Sequence, residues 1–307
     1  MTRIGDYGQA NLLQSQMLRI QDRGAEAQRQ VASGYKSPDY AGLGAEAPAL
    51  IGAQGLLGHT QQLKTLGEDL KVRLGYNDTA LNAAHTSVMG LRDEVLKAIA
   101  VGDGSQLMSQ ANGAFIGFTS TTNTQLDGKY IFAGARTETP PLSVDSVADL
   151  LALPAASDAF ANDSIVASAQ IDDGVGLEFG ALASVFGTGM MDVIRNIAEF
   201  NAGPDGPLGT SLTVVQRTFL DTQAALLSDA GVVVQNAIST NGIALKELEA
   251  VAARQDSQIG FLTDFISSIQ DADAAEAITR LNQDQTALQA SYKVLGDLGQ
   301  VSLLNFL

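Results

Sequence analysis

The chain has no cysteine and no tryptophan, and only 6% of its 307 residues are aromatic. Without cysteine there are no disulfides, no zinc–thiolate sites and no thiol nucleophile, and either redox compartment is tolerated. Proline is sparse and unevenly placed. Its seven copies stand at 38, 48, 140, 141, 154, 204 and 207, leaving 49–139 and 208–307 without one. Proline breaks helix interiors, so both stretches are free to form long helices. Basic residues are also few: 18 Lys and Arg against 34 Asp and Glu, a net charge of −16. Such a chain is repelled by phosphate backbones and anionic lipid, which argues against nucleic-acid or membrane partners. No apolar run approaches the ~18 residues of a membrane span. The first residues, Met1 to Gly8, lack the charged start and apolar stretch of a secretory leader, which implies a cytoplasmic protein or export by another route.

What is present is helical periodicity. Leu13, Met17, Ile20, Gly24, Ala27 and Val31 recur at steps of four and three. The pattern resumes through Leu63, Leu66, Leu70, Leu74, Asn77, Leu81, Ala84, Val88, Leu91, Val95 and Ala98, a heptad-like seam. It predicts one helix from about Pro48 to Val101, stopped by Gly102-Asp103-Gly104. Ser105 is placed to cap a second helix running to about Leu126, with Ala111, Phe115, Phe118 and Thr122 on one face. Near the other end Ile259, Leu262, Ile266 and Ile269 lead to a break at Asp271-Ala272-Asp273. Ile278, Leu281, Gln285, Leu288, Tyr292, Leu295 and Leu298 then continue the seam, and the chain is apolar through Ser302-Leu303-Leu304-Asn305-Phe306-Leu307.

The middle differs. Residues 141–208 hold ten acidic residues and one basic residue, Arg195. Ile165 to Ile171, Asp172-Asp173-Gly174 and Val175 to Phe179 read as strand, turn and strand. Gly203-Pro204-Asp205-Gly206-Pro207 reads as a loop.

These features predict a mainly α chain. Long antiparallel, coiled-coil-like helices pair the N- and C-terminal ends, and a small β-rich domain is inserted between them. Three parts follow: residues 1–45 with 265–307 as a terminal helical assembly domain, 46–138 with 209–264 as a helical rod, and 139–208 as a small acidic outer domain. Two helices paired alone have no interior and leave apolar surface wet. Either the chain's other helices bundle over the remainder or neighbouring subunits cover it, and the apolar, helical ends favour the subunits. The residues assigned to that subunit interface are Leu13, Met17, Ile20, Ala27, Val31, Ile278, Leu281, Gln285, Leu288, Tyr292, Leu295 and Leu298, with Gln285 and Tyr292 as polar members that can set register.

Two end segments carry a resemblance. Gln28-Arg29-Gln30-Val31-Ala32-Ser33-Gly34-Tyr35-Lys36-Ser37 resembles an N-terminal segment of bacterial flagellins and hook-associated proteins. Asp271-Ala272-Asp273-Ala274-Ala275-Glu276-Ala277, followed by Leu281, Gln285, Leu288, Gln289, Ala290 and Leu295 to Leu304, is similar to the flagellin C-terminal helix. Within that family Leu126-Asp127-Gly128-Lys129-Tyr130-Ile131-Phe132-Ala133-Gly134, with Thr137, Thr139, Pro140 and Pro141, resembles the branch that joins hook to filament. Pro38-Asp39-Tyr40-Ala41-Gly42-Leu43-Gly44 stands where flagellin carries a different segment. The resemblance implies a structural, motility-related component of the extracellular flagellum, a filament subunit being the alternative. It implies type III export without a cleaved signal, an export chaperone, and self-assembly into a ring or filament with other axial proteins, namely hook-associated proteins and flagellin. It also implies ends that order on assembly.

Other candidates for chemistry are weaker. His59 and His85, the only histidines, lie 26 positions apart on one predicted helix, about 39 Å at ~1.5 Å per residue, too far to share a metal. Asp271, Asp273 and Glu276 lack the glycine turn of a calcium loop, and Gly42-Leu43-Gly44 lacks the rest of a phosphate loop. Asn77-Asp78-Thr79 and Asn162-Asp163-Ser164 match the glycosylation sequon, the first inside a predicted helix. No cofactor, metal or catalytic residue is assigned, and the chain is read as a non-enzyme. Two other classes remain as rivals: an adhesive module working through 141–208, and a carboxylate hydrolase using Asp172 or Glu178.

Overall fold

A computed structural model describes the backbone of residues 3–304 and the side-chain surroundings of residues 11–296. Long helices dominate, with two small antiparallel hairpins, as the periodicity predicts. The helices are α1 (Arg3–Ser33), α2 (Ala47–Val101), α3 (Leu107–Thr122), α4 (Val147–Ala152), α5 (Ala183–Ala202), α6 (Val214–Gln270) and α7 (Ala274–Leu304). The strands are β1 (Gln125–Leu126) with β2 (Lys129–Tyr130), and β3 (Ala167–Asp172) with β4 (Val175–Phe179).

Local chemistry sets the boundaries. Pro48 falls in the first turn of α2, where its missing N–H costs nothing. That helix ends at Gly102, whose φ of 79° lets its N–H and that of Asp103 both reach the Ala98 carbonyl, at 2.8 and 3.2 Å. Thr213 and Gln216 form a reciprocal capping box at the start of α6. The Gln216 N–H donates to Thr213 Oγ1 at 3.2 Å, and the Thr213 N–H donates to Gln216 Oε1 at 3.0 Å. The predicted break at 271–273 is the cap of α7, where Asp273 Oδ1 accepts the N–H groups of Ala275 and Glu276. Ser105 does not cap α3. Its N–H instead donates to Asp103 Oδ1, and the helix begins two residues later and stops at Thr122. Asp127-Gly128, both at positive φ, make the tight turn between β1 and β2.

The chain divides into two compact units, residues 1–60 with 257–307, and residues 61–256. In the first, α1 and α7 lie antiparallel. In the second, α2, α3, α5 and α6 enclose a large apolar core built on Leu81, Val88, Val95, Phe115, Phe118, Phe186, Ile194, Leu220 and Val234. Residues 142–200 belong to that same core through Leu142, Leu150, Met190 and Ile197. Phe186 packs edge-to-face on Phe132 and Phe118, with ring centroids 5.0 and 6.1 Å away. Helix α5 is a feature that acidic and turn composition conceals. Its Phe186, Met190, Ile194 and Ile197 recur at helical spacing and are all buried. The β3–β4 hairpin closes a second, smaller core with Leu70, Leu74, Ala244, Leu248 and Val251. Buried Gln255 holds it by donating from Nε2 to the Ile171 carbonyl at 2.8 Å.

Candidate assembly surface

The pairing of α1 with α7 is the feature on which a role in assembly rests. Their closest stripe is made of small or compact groups. Gly24 and Ala27 on α1, and Ala277 and Asp284 on α7, are buried. Half-buried Leu13, Met17, Ile20, Leu281, Leu288 and Ser291 flank them. Polar rungs fix the register: Arg23 Nη2 to Asp284 Oδ1 at 2.8 Å, Gln21 Nε2 to Tyr292 Oη at 2.8 Å, and Arg280 Nη2 to Gln30 Oε1 at 3.1 Å. At the base, backbone bonds run from the Lys36 N–H to the Gln270 carbonyl and from the Ala272 N–H to the Gly34 carbonyl, both 2.8 Å. The ends are therefore stitched together by backbone as well as by side chains.

The seam residues sort into two stripes. Leu13, Met17, Ile20, Ala27, Leu281 and Leu288 face the intramolecular contact. Ile278, Gln285 and Tyr292, spaced by seven, form a second, exposed edge of α7, from which the Tyr292 hydroxyl still reaches Gln21; Leu295 continues the stripe of Leu281 and Leu288 and is 37% exposed. Val31 is also exposed, as are Leu12 and Leu18, each 55% exposed. Leu298 and the apolar run at 302–307 lie outside the residues whose side chains are described. Asp284 and Ala277 escape the sequence reading, which ran the α7 seam through Ile278, Leu281 and Gln285 and so passed one residue to the side of both. The signal for both was the spacing Ala277, Leu281, Asp284, Leu288, Ser291, which keeps the alternation of four and three.

The weaker candidates are accounted for locally. Asp172 Oδ1 accepts the Asp173 N–H in the hairpin turn. Asp39 Oδ1 accepts the Gly42 N–H at 2.9 Å, so that segment is a side-chain-closed turn. Asn77 is buried, and Asn162 is tied to Ser184 by two hydrogen bonds, of 2.9 and 3.1 Å. Asp163 Oδ1 accepts the N–H groups of Ala135 and Ile165, and these bonds hold its carboxyl below the usual range. Partial burial pushes Asp192 up. Among the described residues no group of three or more His, Asp or Glu is placed to hold a metal ion, and no helix is long and apolar enough to cross a membrane.

Comparison with known proteins bears on this surface directly. A profile of the bacterial flagellin C-terminal helical region matches residues 224–307, which include α7 and most of α6. Among solved structures, a protein assigned as a flagellar hook-associated protein from Vibrio parahaemolyticus is similar with a TM-score of 0.59 and 18% identity, over 73% of this chain and 97% of that one. Bacillus cereus FlgL is similar with a TM-score of 0.57 and 13% identity, over 70% of this chain and 99% of that one. The chain has the fold of these two solved structures, and its residues 224–307 are similar to the flagellin C-terminal helical region. No curated protein sequence matches. The flagellin-type segment thus includes every exposed α7 residue named above, and the end-segment resemblance agrees with it at the C-terminal side.

Proposed function

We propose that this chain is a structural subunit of the bacterial flagellum that joins hook to filament, assembling through its paired ends rather than catalysing a reaction. The observation that carries the reading is the α1/α7 pair. It is stitched in register along one stripe, and Ile278, Gln285 and Tyr292 stay exposed on the edge beside it, within a segment that matches the flagellin C-terminal region. Neighbouring copies in a ring cover that edge together with Val31, and reach the flanks of the half-buried Leu13, Met17, Ile20, Leu281 and Leu288 beside it. Each large apolar side chain so covered, being already half-buried, contributes roughly half of the ~1.5–3 kcal/mol of a full burial, which works against the entropy of ordering the ends. The partners are further copies, hook-associated proteins and flagellin. The chain reaches the cell exterior by type III export, escorted by a chaperone and without a cleaved signal. In this reading residues 1–45 with 265–307 are the assembly segments, 46–138 with 209–264 the helical rod, and 139–208 an acidic segment that shares the core of that rod.

The flagellin-type C-terminal region also suits a second reading, a subunit of the filament itself. Paired substitutions Ile278→Glu and Gln285→Glu test the interface common to both. Both side chains are exposed, so the circular dichroism spectrum and melting curve of the isolated chain should stay unchanged, while incorporation into flagella is lost. Normal incorporation of a folded double variant would reject this stripe as the interface.

A further inference from the structure

In residues 61–256 the α2/α6 pair buries two separate cores. One is the Phe-rich core, which draws on α2 from Ala80 to Val95 and on α6 from Leu220 to Val234. The other joins Leu70 and Leu74 to Ala244, Leu248 and Val251 beneath Ile171, Leu177 and Phe179 of the hairpin. Between them, on both helices, stands asparagine. Asn77 is 1% exposed and Asn241 is 5% exposed. Asn241 Nδ2 donates to the Leu74 carbonyl at 3.0 Å, which places the two asparagines at one level. Asn241 Oδ1 and both amide atoms of Asn77 make no hydrogen bond.

Polar atoms buried without partners oppose the packing around them. Apolar residues of similar volume at these positions would fuse the two cores into one. A second observation falls at the same level. Gly75 and Gly242 lie inside α2 and α6, and a Cβ added at either meets nothing within 4 Å. Packing therefore does not require glycine there, and each loosens its helix. At Gly231, by contrast, a Cβ would lie 2.8 Å from Met89 Sδ, so the methionine would have to move to admit it.

We propose that the Asn77–Asn241 layer is a joint within the subunit. It holds α2 in register with α6, because a slip of one turn would set an amide against leucine. It also lets the hairpin-capped core open independently of the Phe-rich core. In a part that carries load, this is the level at which the helix pair yields. That consequence rests on the flagellar role proposed above; the joint itself does not.

Hydrogen–deuterium exchange of the full chain, read by peptide mass spectrometry, tests it. Amides of 70–75, 244–251 and 167–179 should exchange as a group, at least tenfold faster than those of 81–95 and 220–234. The double variant Asn77→Leu/Asn241→Leu should erase most of that difference, and Gly75→Ala/Gly242→Ala should narrow it. Equal exchange of the two groups in the unaltered chain overturns the joint, as does a difference that persists in the leucine pair. If the leucine pair does not fold, the alanine pair decides, and no narrowing there overturns it. None of these outcomes depends on whether the chain assembles into flagella.

Discussion

Replacing Phe186 by Ala should lower the principal unfolding transition of residues 61–256 by about 10 °C. The ring is 1% exposed and sits edge-to-face against Phe132 and Phe118. Large-to-small truncation of a buried aromatic costs roughly 3–5 kcal/mol, including aromatic contacts of about 0.5–1.5 kcal/mol per pair. For a unit of this size each kcal/mol shifts the midpoint by about 2–4 °C. The neighbours that would have to close the cavity are Phe118 and Phe132, both fully buried, so little relaxation is available. Thermal melting followed at 222 nm is the assay, with Phe186→Leu as a milder companion. The reasoning requires the loss to appear in the bulk helical transition, because α5 shares its core with α2, α3 and α6. An unchanged helical midpoint, with only local loss of signal around 142–200, would refute the shared core.

Gly102→Ala should destabilise the chain by about 1–2 kcal/mol, the cost of a Cβ at positive φ, and by more from the new methyl group meeting the Arg217 guanidinium that donates to the Ile99 carbonyl; chemical denaturation measures it, and adding Arg217→Ala should relieve the second part only. Asp163 has a lowered carboxyl pKa in the folded chain, so its contribution is present above the unfolded value of about 3.9 and is lost as pH falls through the folded one. Asp163→Asn should therefore lower stability at neutral pH, flatten the acid limb of a stability–pH profile below about pH 4, and converge with the unaltered chain once the native carboxyl is protonated. Asp284→Leu should tighten the α1/α7 pair, since the buried carboxylate has one cationic partner, Arg23, whose side chain is 67% exposed and hydrates readily once released; slower proteolysis of the terminal helices would show this, and faster proteolysis would count against it.

The long helices were legible because two independent signals coincide there, an absence of proline and apolar steps of three and four. The β3–β4 hairpin was legible from its Asp-Asp-Gly turn between β-rich runs. Helix α5 was not, although Phe186, Met190, Ile194 and Ile197 carry its period, because the acidic and glycine content around it reads as loop and insert. That composition describes the solvent face, whereas membership of a core depends on the other face. In α7 the single seam proved to be two stripes one residue apart. Periodicity alone cannot separate them, since a step of three or four from either stripe lands near the other. Partner side chains on α1 decide it: Gly24 and Ala27 admit Asp284 and Ala277, and leave Ile278, Gln285 and Tyr292 outside. Asn77 entered the heptad pattern as an ordinary member, and its meaning emerged only when Asn241 arrived at the same level from 164 residues away.

Electron microscopy of flagella from cells deleted for this gene, with flagellin assayed in the culture medium, tests the central claim most directly. The account expects complete hooks without filaments and flagellin lost to the medium, both restored by the unaltered gene. Hooks bearing short or altered filaments would point to the filament-subunit reading instead, and normal, fully working flagella would contradict a flagellar role altogether.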